Sequence, residues 1–388
     1  MRAEFLPYCR PFIGDDDIAA VTDTLARGWI TTGPKVREFE QLFSAAAGVK
    51  HAVALNSCTA ALHLGLIALG VGEGDEVVLP SLSFVAGANC VVQLGAKAVF
   101  CDIDPETLSL SVETIDRVAT PRTKAIMTMH YAGRPASTAP IVAWAKDKGI
   151  KVFEDAALAV GMRDDGDWPG TRSDAAAYSF YATKNVTSAE GGMFLTNDDA
   201  LMERVRTLAL HGMDRDAWKR YTSGGSWRYD VLEHGYKDNM PDLAAALGIS
   251  QLRKLEATQS RREAIARTYT EALAAIPGVS VGGVGKMGAA DRHSWCMFPI
   301  LVDERVAGVS RDRLIDDLKA LNIGTSVHYI PSHHFTAHSS NGSDLPVTEK
   351  LWQQLISLPL YPGMSDADVS DVVEALRASV PGKVSQAV

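Results

Sequence analysis

The stretch HAVALNSCTAALHLGLIALGVGEGDEVVLPSLSF, residues 51–84, decides the fold. It opens on a short apolar run, HAVALN (51–56), that reads as a strand. Ser57 and Thr59 follow, and hydroxyls at such a position favour a helix start. TAALHLGLIALG (59–70) then reads as a helix ending at Gly70, and DEVVLP (75–80) as a second strand. Two largely apolar strands flanking a helix predict a parallel pair joined by a crossover.

The same alternation extends outward. FVAGANCVVQLG (84–95) is a helix, AVFCDID (98–104) and KAIMTMHY (124–131) are strands, APIVAWAKDKG (139–149) is a helix and KVFED (151–155) a strand. AAAYSFY (175–181) and GGMFLT (191–196) add two more strands. The chain is therefore α/β, with a mainly parallel sheet covered on both faces. In such sheets a ligand sits beyond the carboxyl ends of the strands. The texture changes after about residue 250. QLRKLEATQSRREAIARTYTEALAAI (251–276) reads as one long charged amphipathic helix. SWCMFPILV (294–302), a helix near 311–322 and the final helix in ADVSDVVEALRASV follow. We expect a large domain over 1–250 and a smaller C-terminal α/β domain over 251–388.

Composition narrows the function. With 388 residues and 46% hydrophobic content, the chain has material for a large core and more than one domain. A net charge of -9 argues against nucleic acid as a partner. Cys9, Cys58, Cys90, Cys101 and Cys296 show no metal-ligand spacing, and their odd number fits a reducing compartment. The first residues carry charges and no apolar core of a signal peptide, and no apolar run approaches the roughly 20 residues of a membrane span. A cytoplasmic protein without a membrane span or metal site is expected.

Four positions at or beyond strand ends suggest one site. Asn56-Ser57-Cys58-Thr59 follows a strand and opens a helix, where free amides and the helix dipole attract an anion such as phosphate. Asp155 ends KVFED, where an acid can hold a proton on a ring nitrogen. Lys184 lies among small, apolar and hydroxyl residues in SFYATKNVTSAEGG, as a carbonyl-capturing amine requires. Phe84 follows a strand and can stack on a flat ring. The 29 residues between Asp155 and Lys184, 184 − 155, allow one hairpin-like excursion that lets both face one ligand. Each also has a plain alternative: a helix cap, a solvated strand end, an exposed lysine and a core aromatic.

From about residue 5 to residue 378 the chain resembles the DegT-type sugar-nucleotide aminotransferases, pyridoxal-phosphate (PLP) enzymes of fold-type I. The resemblance is carried by RGWITTGPKVREFE (27–40), the 56–84 stretch, HYAGRPA (130–136), EDAALAVG (154–161), SFYATKNVTSAEGGM (179–193), GYKDNMPDLAAALGISQLRKLE (235–256), IGTSVHYIP (323–331) and LPLYPGM (358–364). It implies an aspartate-aminotransferase-like fold with a seven-stranded sheet. It implies that Lys184 holds the PLP aldehyde and then shuttles the proton, that Asp155 pairs with the pyridine nitrogen and that Phe84 stacks on the ring. Ser57, Cys58, Thr59 and Ser179 would hold the phosphate. Asn239 would reach the cofactor of a neighbouring subunit, making a homodimer with shared sites. Trp29, Thr31, Tyr131, His328 and Tyr329 lie in segments that line the sugar pocket in this family.

Glutamate would be the amino donor and a nucleotide-linked keto sugar the acceptor. GYKDNMPD resembles the version found where amination falls on carbon 4, and the opening and HYAG segments look most like the enzymes that make UDP-4-amino-4-deoxy-L-arabinose. Departures stand at Leu158, where relatives carry a polar residue, at Cys58, where they carry Gly or Ala, and at Asp238 and Ala244. The segments 163–173 and 212–234 read as charged, aromatic loops over the site, with Trp218, Arg220, Trp227 and Arg228 as candidates there. A PLP-dependent sugar dehydratase is the first alternative, but that class replaces the lysine with His. A non-catalytic regulatory homologue is the second. A general amino-acid aminotransferase would need an Arg clamp in the small domain, and Arg311 and Arg313 are expected on a polar helix face instead.

Overall fold

Strands β1 (His51–Leu55), β2 (Glu76–Pro80), β3 (Lys97–Cys101), β4 (Thr123–Met129), β5 (Lys151–Asp155), β6 (Ala175–Ser179) and β7 (Gly192–Thr196) form one sheet in the order β1-β7-β6-β5-β4-β2-β3. The computed structural model describes residues 2–214, 229–283, 285–341 and 344–381. Pairs β2–β3, β2–β4, β4–β5 and β5–β6 are parallel, while β7 runs antiparallel to β1 and β6. Every residue of β2, β6 and β7 is buried, the pattern of strands covered on both faces. Between β5 and β6 the chain returns as a parallel crossover rather than the hairpin-like excursion expected, and residues 156–174 make it without a helix.

A second sheet, β8 (Val279–Val281), β9 (Phe298–Val302) and β10 (Leu355–Leu358), is antiparallel in the order β10-β9-β8. The single helix expected over 251–276 is two, Asp242–Arg253 and Leu255–Leu273. The break falls at Lys254, whose amide donates to Gln251 O at 3.1 Å and whose ammonium pairs with Asp16 at 3.1 Å and with Asp17. Arg311 is not on a polar face. It is buried, and its guanidinium donates to the carbonyls of Trp352 and Leu355, both at 3.1 Å.

We propose a domain division near residue 250, crossed once by the N-terminal segment. Leu6 packs in the core of the second sheet, and its backbone bonds Asn322 O and Gly324 N at 2.8 Å each. Arg2 pairs with Asp368 at 2.5 Å and Asp371 at 2.7 Å on the last helix, Asp366–Ser379. A smaller cluster that includes Leu82, Met129, Tyr131, Leu158, Cys296, Met297 and Leu355 seals the seam between the two cores. No helix among the described residues is long and apolar enough to cross a membrane. Trp218, Arg220, Trp227 and Arg228 lie outside the described residues.

Candidate active site

A cavity of about 590 Å³ opens at the carboxyl ends of β1, β4, β5 and β6, against the seam. It is lined by Ser57, Cys58, Thr59, Phe84, Asp155, Ser179, Lys184, His328 and Tyr329 among others, and so brings together nine of the residues picked from the sequence.

At one end, Ser57 caps the helix Cys58–Ala68. Its backbone is extended, and its Oγ accepts the Ala60 amide at 3.0 Å. The amides of Cys58 and Thr59 belong to the first turn, which has no intrahelical acceptors, so they and the helix dipole favour an anion. Ser179 Oγ, at the end of β6, accepts the Tyr181 amide at 3.3 Å. Gly192, at the start of β7, presses directly on this turn. A Cβ there would sit 2.4 Å from the Ser57 carbonyl carbon and oxygen and 2.5 Å from the Cys58 nitrogen.

At the other end, Asp155 is only 7% exposed, and its Oδ1 accepts the Ala157 amide at 3.0 Å. Burial pushes its pKa up, and the Ala157 amide, Lys184 and His130 oppose that rise. A buried carboxylate with so little local support fits a cationic ring N–H. The neighbouring Glu154 points to the opposite face of the sheet. It accepts from His130 Nε2 (2.8 Å), Thr138 Oγ1 (3.0 Å), Gly170 N (2.8 Å) and Ser173 Oγ (2.5 Å). Burial works to raise its pKa, but His130, Ser173 and the Gly170 amide outweigh that and hold it below the usual range. His130 Nδ1 accepts the Ala136 amide at 3.2 Å, which places the ring proton on Nε2. This network clamps the ends of β4 and β5 behind Asp155.

Lys184 is half-buried, and its backbone amide donates to Tyr181 O at 2.9 Å. Its ammonium makes no hydrogen bond or ion pair with the described residues. Its charge acts on Asp155, Cys58 and His328, so all four share one space. Burial, and then Lys184, push the His328 pKa down to about 4, which keeps this ring neutral. Phe84 is 57% exposed at the mouth, its ring centroid 6.0 Å from that of Tyr329. Leu158, at the departure from the family pattern, supplies an apolar wall with Met129 and Met297.

Four expected residues lie elsewhere. Tyr131 is fully buried and donates its hydroxyl to His328 O, so it supports the cavity wall from behind. The Trp29 indole donates to Thr32 O at 3.1 Å, and Thr31 O accepts the Asp242 amide at 3.1 Å. Asn239 bonds Thr32 Oγ1 and borders a separate cavity of about 390 Å³. Neither Trp29, Thr31 nor Asn239 lines the cavity of its own chain's Lys184. Tyr8, Tyr181, Thr183, Glu190 and Cys296 line it without having been picked. Tyr8 stood in LPYCRP with no chemistry attached, and only the packing of the N-terminal segment on the second core brings it here.

An aldehyde to meet the free amine, a ring nitrogen to meet Asp155 and a phosphate to meet the 57–59 turn are the three parts of pyridoxal phosphate. Fold and site thus define the class, a pyridoxal-phosphate enzyme. The chain belongs to the DegT/DnrJ/EryC1/StrS aminotransferase family, whose sequence profile matches residues 11–377. It is 47% identical over 386 residues, with 98% of each chain covered, to the spore coat polysaccharide biosynthesis protein SpsC of Bacillus subtilis (strain 168). Its structure matches the PLP-form of Spr1654 from Streptococcus pneumoniae at TM-score 0.88 and 30% identity, covering 97% and 98% of the two chains. It also matches DesI in the presence of its TDP-sugar product at TM-score 0.87 and 31% identity, covering 98% and 94%. The chain is a PLP-dependent sugar aminotransferase.

Proposed function

We propose that this enzyme moves an amino group from glutamate to the keto carbon of a nucleotide-linked sugar, at carbon 4, and works as a homodimer with shared sites. The observation that carries the reading is the amine of Lys184, unpaired among the described residues, in one cavity with the buried carboxylate of Asp155. The GYKDNMPD segment supports carbon 4. The TDP-sugar product of DesI supports a nucleotide-linked acceptor, and the name of SpsC supports an amino sugar made for a glycan.

When bound, PLP supplies an aldehyde that captures amines and a ring that withdraws electrons from the bond beside the captured nitrogen. Each residue then has a task. Lys184 Nζ would hold the cofactor and, as a free amine, would move the proton between carbons. Asp155 would pair with the ring nitrogen and keep its proton in place. Ser57, Thr59, Ser179 and the first-turn amides of Cys58 and Thr59 hold the phosphate. Phe84 stacks on the ring, and Leu158, Met129 and Met297 exclude water. His328 and Tyr329 face the acceptor. Asn239 serves the partner's site.

The test is to incubate the PLP-loaded enzyme with glutamate and a panel of nucleotide-linked 4-keto and 3-keto sugars, reading 2-oxoglutarate and amino sugar by mass spectrometry. Both products are expected with 4-keto acceptors. Turnover with 3-keto acceptors alone overturns the carbon-4 assignment.

A further inference from the structure

Outside the cofactor cavity, two adjacent histidines and a carboxylate converge. His333 and His334 lie on the short turn Ser332–His334, and Glu349 lies on the helix Pro346–Trp352. Both Nε2 atoms are 2.6 Å from one oxygen, Glu349 Oε1, and the three donor atoms lie within 4.8 Å of one another. Side chains of consecutive residues ordinarily diverge. Here the two rings meet edge to face with centroids 4.5 Å apart.

The outer contacts are those a metal ligand needs. His333 Nδ1 is 2.6 Å from Oγ of the fully buried Ser81, which fixes the ring's direction. Glu349 Oε2 accepts the Trp352 indole N–H at 3.2 Å, leaving Oε1 for the histidines. Side-chain exposures of 14%, 30% and 39% for His333, His334 and Glu349 leave the donors reachable from solvent.

We propose that His333 Nε2, His334 Nε2 and a Glu349 carboxylate oxygen bind one divalent transition-metal ion of the zinc type, with water completing the shell. Two imidazoles and a carboxylate suit zinc, and three protein ligands leave the fourth position open. Zinc bonds of about 2.0–2.1 Å in tetrahedral geometry put ligand atoms about 3.4 Å apart, so each Nε2–Oε1 separation must widen by about 0.8 Å. Protons balance without net change. In the metal-free protein both Nε2–H groups donate to Glu349. On binding, His333 moves its proton to Nδ1, where Ser81 Oγ accepts as readily as it donates. His334 is open enough to hold its proton on Nδ1 against water.

The ion would tie the helix Pro346–Trp352 to a turn already pinned on the end of β2, where the Ser332 amide donates to Ser81 O at 2.8 Å. That contact lies three residues before Phe84, so the ion braces the mouth of the cavity without entering the chemistry.

Calorimetric titration of the PLP-loaded enzyme with ZnCl2 tests this, on the wild type, His334→Gln, Glu349→Gln and a control, His51→Gln. One equivalent should bind the wild type and the control, and either ligand variant should weaken it at least about tenfold. Thermal melting should rise with zinc only where the titration shows binding. CoCl2 should give visible bands without the near-ultraviolet absorption of thiolate ligands, separating this site from the five cysteines. No binding by the wild type at millimolar zinc, equal binding by both ligand variants, or a thiolate signature would each overturn the site.

Discussion

Asp155 and Lys184 divide one electrostatic problem. The carboxylate is buried with a single backbone donor, and the amine beside it has no fixed partner among the described residues. Lys184→Ala should abolish both the visible absorbance of bound cofactor and amine transfer, and turnover retained in that variant would reject its role. Asp155→Asn replaces a charged hydrogen bond, a difference of about 1.5–3 kcal/mol, so kcat should fall roughly 10- to 100-fold while the cofactor stays bound. A third residue sets a pH response. His293 is buried, accepts the Trp295 amide on Nδ1 at 2.8 Å and stacks on that indole at 3.8 Å. Burial, with Arg134 nearby, pushes its pKa down to about 3. A histidine held neutral in the fold contributes stability that is complete above its unfolded pKa near 6.5. That stability is lost as pH falls toward 3, at roughly 1.4 kcal/mol per pH unit. Urea unfolding between pH 7 and pH 4 should show a steeper loss for wild type than for His293→Gln, and parallel slopes would remove this account. Lys184 and Asp155 were legible because each closes a strand–loop pattern that names a chemistry. Tyr8 was not, since its place depends on contacts made far along the chain. Tyr131 shows the opposite limit: which way its side chain turns is decided by packing, and it turns into the core.

Strands were the easiest elements to read, because a run buried on both faces is apolar at every position and the crossover helices between them end in glycine. The break at Lys254 was hidden, since the amphipathic spacing continues on both sides of it and the cause is an ion pair with Asp16 and Asp17 on a distant helix. The contact of β7 with the phosphate turn was equally invisible, because it joins the first and last strands of the sheet's sequence. Gly192 is what permits it. A methyl group there meets backbone atoms of Ser57 and Cys58, which cannot rotate aside as a side chain would. Gly192→Ala should therefore cost about 1–3 kcal/mol of stability and push the turn out of register with Ser179. Thermal unfolding and fluorescence titration of the cofactor-free protein with PLP check both effects. Wild-type stability together with wild-type PLP affinity would mean that β7 does not shape the turn.

At the scale of the whole molecule, Asn239, Trp29 and Thr31 would serve the partner's site in the proposed homodimer. They gather around Thr32, outside the cavity that holds their own chain's Lys184. An apolar groove lined by Ile13, Ile18, Val21, Ala182 and Leu247 runs up to the loop that carries Lys184, with Phe12, Ile13 and Ile18 exposed beside it. In the proposed homodimer a two-fold pairing would bury the same surface on both chains and would present each Asn239 to the other's site. This arrangement makes a quantitative prediction. Lys184→Ala and Asn239→Asp homodimers should both be impaired, the first fully and the second partly. Mixed after dissociation, the two variants form heterodimers in which one site has lost both residues and the other has both intact. With random pairing, half the dimers are mixed and each carries one good site, so about a quarter of wild-type activity should return. If Asn239 served the cofactor of its own chain, every mixed site would lack one residue or the other and no activity would return beyond that of the Asn239→Asp chains. Sedimentation of the same mixture distinguishes a failure to pair from a failure to share.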